Sequence, residues 1–306
     1  MSSNSLNDQI QTIVGDFGVL LPEVTLILGS FVLIILQLIY KDQGSGVKTV
    51  FSLFLLGLIS LVISTVAKPG TYFDGVLVLS LITGLAKPFF ILIAGFVLLF
   101  PKGEDLLKRG EYHFLLLMIL LGSMLLIEVN NLLLFYLSLE LISITSYILT
   151  GFNFNKKGFE AGIKYLLFGA MSSGLMLYGI SLIYGLTGSL DFQVIGDFIA
   201  SESASGLWLP LALVLFFVGV WFKLSLAPFH IWSPDVYEAG PTPVVAYISV
   251  LPKVAVLIFL GQFIIATNLD QLQFDWKQLF AGLAILSMFI GNLSALSQSN
   301  AKRMMA

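Results

Sequence analysis

Long apolar runs separated by short polar breaks fill this chain. Nine such runs fall near residues 19–40, 47–67, 79–100, 112–128, 130–151, 160–185, 207–229, 242–266 and 279–297. A bilayer core of roughly 30 Å needs about 20 apolar residues per helix, so each run predicts a membrane-spanning helix. Only Glu128, Val129 and Asn130 separate the fourth run from the fifth, which predicts a tight helical hairpin. The polar start carries Asp8 and Asp16 but no Lys or Arg before the first run. A secretory leader has a basic start, so the first run reads as a retained span. The sixth run carries Gly162, Gly169, Ala170, Ser173 and Gly174. Small residues let helices approach closely in lipid, and packing is the reading given to them.

Composition fits the pattern. Apolar residues make up 58% of the 306, charged residues 11%, against about a quarter charged in soluble domains. The mean hydropathy is +0.97. The net charge of −3 and the lack of a basic block argue against nucleic acid as a partner. Cysteine is absent, which excludes disulfides, thiolate metal sites and iron–sulfur ligation by these residues. The two histidines, His113 and His230, lie far apart, and no glycine-rich nucleotide fingerprint occurs.

Charge in the connections sets an expected orientation. With the amino terminus outside, the inner connections hold Lys41, Lys48, Lys102, Lys108, Arg109, Lys156, Lys157, Lys302 and Arg303. The outer ones hold only Lys68 and Lys277, while the 186–206 loop carries Asp191, Asp197 and Glu202. The amino terminus is expected to be extracytoplasmic. The closing Asn300–Ala306 run, with Lys302 and Arg303, reads as the approach to a further helix, so the chain is expected to be part of a longer one.

The remaining ionisable residues lie inside apolar runs, where a charge costs roughly 2.5–3.5 kcal/mol on insertion scales. Glu140 falls about 15 Å into the fifth run by helix rise, too deep to reach a surface, with Ser143 on the same face. Lys253 is similarly central in the eighth run, beside Pro252. Lys164 lies in the inner third of the sixth, where it either nears Glu140 or reaches the inner surface. Lys223 opens the run Lys223-Leu-Ser-Leu-Ala-Pro-Phe-His-Ile-Trp-Ser-Pro-Asp235. Pro228 there frees the carbonyl of Leu224, predicting a broken seventh helix. Broken helices beside ionisable groups are how transporters build ion sites. On a continued helix His230 would share the face of Lys223 two turns later, suited to a proton relay by its ordinary pKa near 6.5. Lys87, before Pro88, is left unassigned, its stem long enough to reach the headgroups, and His113 reads as interfacial.

The order lysine, Pro-Phe-His-x-Trp-x-Pro, Gly240-Pro-Thr-Pro-Val, lysine over Lys223–Lys253 resembles the proton-pumping antiporter-like subunits of respiratory complex I, NADH–quinone oxidoreductase. Lys223–His230 with Pro234-Asp-Val-Tyr237 is similar to the branch typified by subunit N. Branches L and M favour Pro-x-His-x-Trp-Leu-Pro with Ala-His following. Leu139-Glu140-Leu141, Gly162-Ile-Lys164-Tyr165 and Asn292-Leu-Ser-Ala-Leu296 extend the match along the chain.

The resemblance implies an all-α polytopic fold, part of 14 helices with two inverted five-helix repeats, each with a discontinuous helix. It divides this chain into 1–111, a three-helix segment; 112–266, the first repeat; and 267–306, the start of the second. It implies that Glu140 pairs electrostatically with Lys223 and that Lys253 passes protons centrally, with Lys164 and His230 assisting. An exit lysine would lie in the later broken helix, beyond these residues. It further implies no cofactor on this chain, NADH and quinone used elsewhere in the complex, other membrane-arm subunits as partners, and a bacterial inner membrane. The expected function is proton translocation coupled to quinone reduction. A subunit of a multi-subunit cation/proton antiporter is the alternative. A structural scaffold and a haem- or quinone-binding redox subunit are further rivals, and the lack of cysteine and of paired histidines argues against haem.

Overall fold

A computed structural model of the chain describes residues 14–40, 45–66, 68–99, 109–201, 206–272 and 274–306. Asp8, Lys41, Lys102, Lys108 and Glu202, used above for charge, lie outside the described residues. The structure is 81% helical. The helices are α1 (Leu21–Tyr40), α2 (Ser45–Val66), α3 (Leu81–Leu99), α4 (Gly110–Leu126), α5 (Leu132–Thr150), α6 (Lys156–Thr187), α7 (Phe192–Ala200), α8 (Trp208–Leu224), α9 (Ser233–Ala239), α10 (Thr242–Ala266), α11 (Trp276–Leu296) and α12 (Ala301–Met304). Six are long and apolar enough to cross a membrane: the first, with its extension back to Val14, then α3, α5, α6, α10 and α11. The apolar stretches Val47–Ile63, Gly110–Leu126 and Trp208–Leu224 are shorter. Each apolar run of the sequence thus has its helix.

The hydropathy pattern misses three kinds of element. A two-stranded antiparallel ribbon, β1 (Gly70–Tyr72) and β2 (Leu77–Leu79), sits between α2 and α3. Its turn passes through Phe73, Asp74 and Gly75, all at positive φ. The second strand lies along the α4–α5 connection, where Val78 N–H donates to the Glu128 carbonyl at 2.8 Å and Asn130 N–H to the Val76 carbonyl at 2.9 Å. The short helix α7 fills the connection between α6 and α8, and α9 and α12 pack together.

α10 is the central post, in contact with α3, α4, α5, α8 and α9. Phe135 of α5 stacks on its Phe259 at 3.9 Å, and Phe216 of α8 meets its Phe263 at 5.2 Å. The Tyr247 hydroxyl of α10 donates to the Leu116 carbonyl of α4 at 3.2 Å. α6 and α8 press together most closely at Gly179, where a Cβ would lie 2.6 Å from the Ala212 carbonyl oxygen. α6 is capped by the Asn155 side chain, which accepts from Gly158 N–H, and is ended by Gly188 at φ 72°. Its 32 residues span about 48 Å, more than the roughly 30 Å apolar core, so one end overhangs the bilayer.

The helix of the seventh apolar run ends ahead of Pro228. α8 ends at Leu224, capped by Ser225 in the left-handed region at φ 57°. Residues 225–232 then run as turns before α9. Four backbone donors there have partners: Ser225 and Leu226 reach back to Phe222 and Trp221, Phe229 N–H donates to the Leu226 carbonyl, and Ala227 N–H donates to the Ser287 hydroxyl of α11 at 2.9 Å. Non-helical backbone at membrane depth needs such partners from surrounding protein.

Candidate functional site

Glu140 lies on the face of α5 turned toward α6, and Ser143 one turn on faces α8. The Ser173 hydroxyl of α6 donates a short hydrogen bond to the Glu140 carboxylate. Lys223, only 3% exposed at the last turn of α8, donates to the Ser143 hydroxyl at 3.1 Å. The two charges therefore face one another across α5 with serines between them. No direct ion pair joins them among the described residues, yet Glu140 is the acidic group that acts electrostatically on Lys223.

Two buried tyrosines occupy the ground toward Lys253. The Lys223 ammonium lies 5.9 Å from the Tyr165 ring centre, and the Lys253 ammonium 5.8 Å from that of Tyr237. Tyr165 is locked by stacking on Trp232 at 4.0 Å and by an edge contact to Tyr147 at 4.6 Å. The Tyr237 hydroxyl has no hydrogen-bond partner among the described residues. Tyr165 and Tyr237 were not singled out in the sequence, because a lone tyrosine in an apolar run carries no signal. Their rings recommend themselves only once α6 and α9 are seen to pack together.

His230 departs from its expected place. Because α8 stops at Leu224, it lies in the turn before α9 and not on a continued face of α8. Its Nδ1 is buried and unpartnered, and no hydrogen bond joins it to Lys223 among the described residues. Lys164 also departs from one of its two readings. It pairs with Asp235 of α9 and with Glu160, both at 2.9 Å, with 43% of its side chain exposed, and it does not reach Glu140. Lys164 is the ninth residue of a helix that starts at Lys156, earlier than the hydropathy suggested, which sets it beside Asp235 of α9. Arg303 of α12 closes a network on Asp235 and Glu238, each at 2.8 Å. Arg303 and Lys164 hydrogen-bond Asp235 and hold its carboxyl below the usual value, with Lys164 the larger influence. A cavity of about 240 Å³ opens beside Lys164 and Asp235.

Two further residues differ from their sequence reading. Lys87 is 2% exposed and pairs with Glu23 of α1 at 2.8 Å and with Glu128, so it does not stretch to the headgroups. His113 is fully buried, its Nδ1 3.1 Å from the Arg109 carbonyl and its Nε2 3.4 Å from the Thr49 hydroxyl, so it is held by protein and not by interfacial water. No cluster of metal-ligating side chains occurs among the described residues.

The family model described as NADH:quinone oxidoreductase/Mrp antiporter, TM, matches residues 129–306. The chain belongs to that family. The matched stretch holds Glu140, Lys164, Lys223, His230 and Lys253, so the residues assembled here lie within the family's shared region. Among curated relatives, NADH-quinone oxidoreductase subunit N of Chlorobium chlorochromatii is 37% identical over all of this chain and 62% of its own length. Subunit N of Acidithiobacillus ferrooxidans is 35% identical over 94% of this chain and 60% of its own. The chain thus spans about three fifths of the length of these relatives. Among solved structures, a chain of respiratory complex I from Thermus thermophilus superposes with a TM-score of 0.75 at 31% identity, over 93% of this chain and 60% of that one. A chain of the Mrp complex from a Dietzia species superposes at 0.76 with 17% identity, over 95% and 56%, which speaks to the fold alone.

Proposed function

We propose that the chain is part of a proton-translocating membrane subunit of NADH:quinone oxidoreductase. It would move protons through Glu140, Lys223 and Lys253, coupled to quinone reduction elsewhere in the complex. The observation that carries this reading is the pair of serine links, Ser173 to half-buried Glu140 and Ser143 to buried Lys223, on three packed helices. A buried charge is costly unless compensated, so the charge of Lys223 is tied to that of Glu140. When Glu140 is neutralised, or its attraction screened by a neighbour's charge, Lys223 Nζ releases its proton. The proton then passes by way of Tyr165 and Tyr237, whose rings lie 5.9 and 5.8 Å from the Lys223 and Lys253 ammonium groups, to Lys253 Nζ.

In this reading all nine apolar helices cross the membrane, with the broken seventh formed by α8 and α9 around Pro228. Residues 112–266 form the first five-helix repeat, after a three-helix segment at 1–111, and 267–306 open the second. Lys164 and His230 serve at the cytoplasmic side, Lys164 through its network with Asp235. The subunit sits in a bacterial inner membrane with its amino terminus outside, beside other membrane-arm subunits. It binds no cofactor itself; NADH and quinone belong to the complex.

Glu140→Gln in the full-length protein tests the reading. Electron transfer from NADH to quinone is expected to continue in assembled complex, while the protons moved per electron fall sharply. An unchanged ratio would overturn it.

A further inference from the structure

Glu23 of α1, Lys87 of α3 and Glu128 of the α4–α5 connection meet in a pocket outside the Glu140–Lys253 row. Lys87 lies between the two carboxylates, bonded to Glu23 at 2.8 Å and in contact with Glu128. All three are buried, with exposures of 2% for Glu23, 2% for Lys87 and 0% for Glu128. Glu23 Oε2 and Glu128 Oε2 find no hydrogen-bond donor among the described residues.

Two carboxylates and one ammonium leave one negative charge uncompensated if all are ionised. The ionisable groups acting on Lys87 are Glu23 and Glu128, and those acting on Glu128 are Lys87 and Glu23. Among the described residues no second cation acts on the triad, and the exposed Lys68 lines the neighbouring cavity. A buried carboxylate oxygen without a donor is far better held as a neutral acid than as an anion. The pocket also has a way out. A cavity of about 410 Å³ reaches Glu128 and Lys87 and is lined on its polar side by Ser60, Ser80, Thr83 and Lys68. It opens at the β-ribbon end of the bundle and has room for several waters between hydroxyls.

We propose that Glu23, Lys87 and Glu128 form a second proton-binding site, holding one exchangeable proton shared between the two carboxylates and reached from the ribbon end through this cavity. The ammonium of Lys87 pairs with whichever carboxylate is ionised, and the proton sits on the other. Passing it across requires only that Lys87 swing its pairing from one glutamate to the other. The site makes no contact with the Glu140–Lys223 pair, and it stands whether or not those residues pump.

Infrared difference spectra of the full-length protein in its resting membrane complex, without turnover, test this. Wild type minus Glu23→Gln and wild type minus Glu128→Gln should each show the carbonyl stretch of one buried carboxylic acid. In either variant the remaining glutamate pairs with Lys87 and stays ionised. The band should move on deuterium exchange, since the cavity admits water. A band kept in one variant, or absent from both difference spectra, would overturn the proposal: the first means a fixed neutral acid, the second a permanently ionised cluster. Radioactive sodium bound by wild type and lost in Glu128→Gln, with no carboxylic band, would also overturn it in favour of a metal cation. Both substitutions preserve size and shape, so the result does not depend on one variant folding.

Discussion

Ser143 is the smallest group in the site and the one whose removal is most informative. It gives Lys223 its one hydrogen bond among those described, and it carries no charge of its own. A hydrogen bond to a charged group contributes about 1.5–3 kcal/mol, so Ser143→Ala withdraws that much from the protonated state of Lys223. The protons moved per electron are expected to fall in the Ala variant and to recover in Ser143→Thr, which keeps the hydroxyl. Equal losses in both would mean the hydroxyl is irrelevant and only packing matters. Glu140 and Lys223 were legible in the sequence because a charge within 20 apolar residues stands out. Ser143 was noted only as a neighbour of Glu140, and Ser173 only as a small packing residue. Serines are common at helix contacts in membranes, so their hydrogen bonds become visible only with the partner in place.

At the scale of elements, the contact of α6 with α8 decides whether the site holds its shape, since Tyr165 and Ser173 ride on one and Lys223 on the other. Gly179 sets that contact: an added Cβ would meet the backbone at Ala212 and Phe216 of α8. Backbone cannot rotate away as a side chain does, so the helices must part, at a cost of about 1–3 kcal/mol. Gly174, five residues earlier on α6, has nothing within 4 Å of an added Cβ. Gly179→Ala is therefore expected to lower the thermal unfolding midpoint of the detergent-solubilised protein, and Gly174→Ala to leave it unchanged or slightly higher. The reverse order would show that α6 is placed by something other than this close approach. The end of α8 is a second matter of elements. The helix ends at Leu224 with Ser225 as its cap, ahead of Pro228, and with it goes the expected shared face of Lys223 and His230.

For the whole molecule, the network of Lys164, Asp235, Glu238 and Arg303 ties α6, α9 and α12 together. Asp235 has a carboxyl held below its ordinary value of 3.8 by Lys164 and Arg303. The sign follows from that depression: its contribution to stability is present above the unfolded value and lost as pH falls through the lower folded value. The wild-type midpoint should therefore drop on acidification below about pH 4 more steeply than that of Asp235→Asn, which has no proton to gain. Identical acid limbs would remove Asp235 from the account. Topology has its own check, because the chain contains no cysteine. A single Ser201→Cys, at the exposed end of α7, is expected to react with a membrane-impermeant maleimide on intact cells. Protection until the cells are broken would reverse the proposed orientation.

The sequence by itself determined the class of molecule, the apolar runs that form its helices among the described residues and the short list of charges inside them. Each of those follows from local composition: a run of about 20 apolar residues has few ways to satisfy its backbone in lipid other than as a helix. It did not determine which charges meet. Lys87 and Glu23 are 64 residues apart, and Lys164 and Asp235 are 71 apart. Nothing in the pattern marks Glu23, and Glu128 marks only the break between two runs, until α1, α3 and the α4–α5 connection close on one another. In a soluble protein an apolar stripe would have announced which face turns inward. Here both the lipid-facing and the protein-facing sides of most helices are apolar, so rotation and stagger leave little trace in the pattern. The positions of charges inside the membrane were thus written in the sequence, while their pairing, the offset end of α8 and the burial of His113 were decided by tertiary packing.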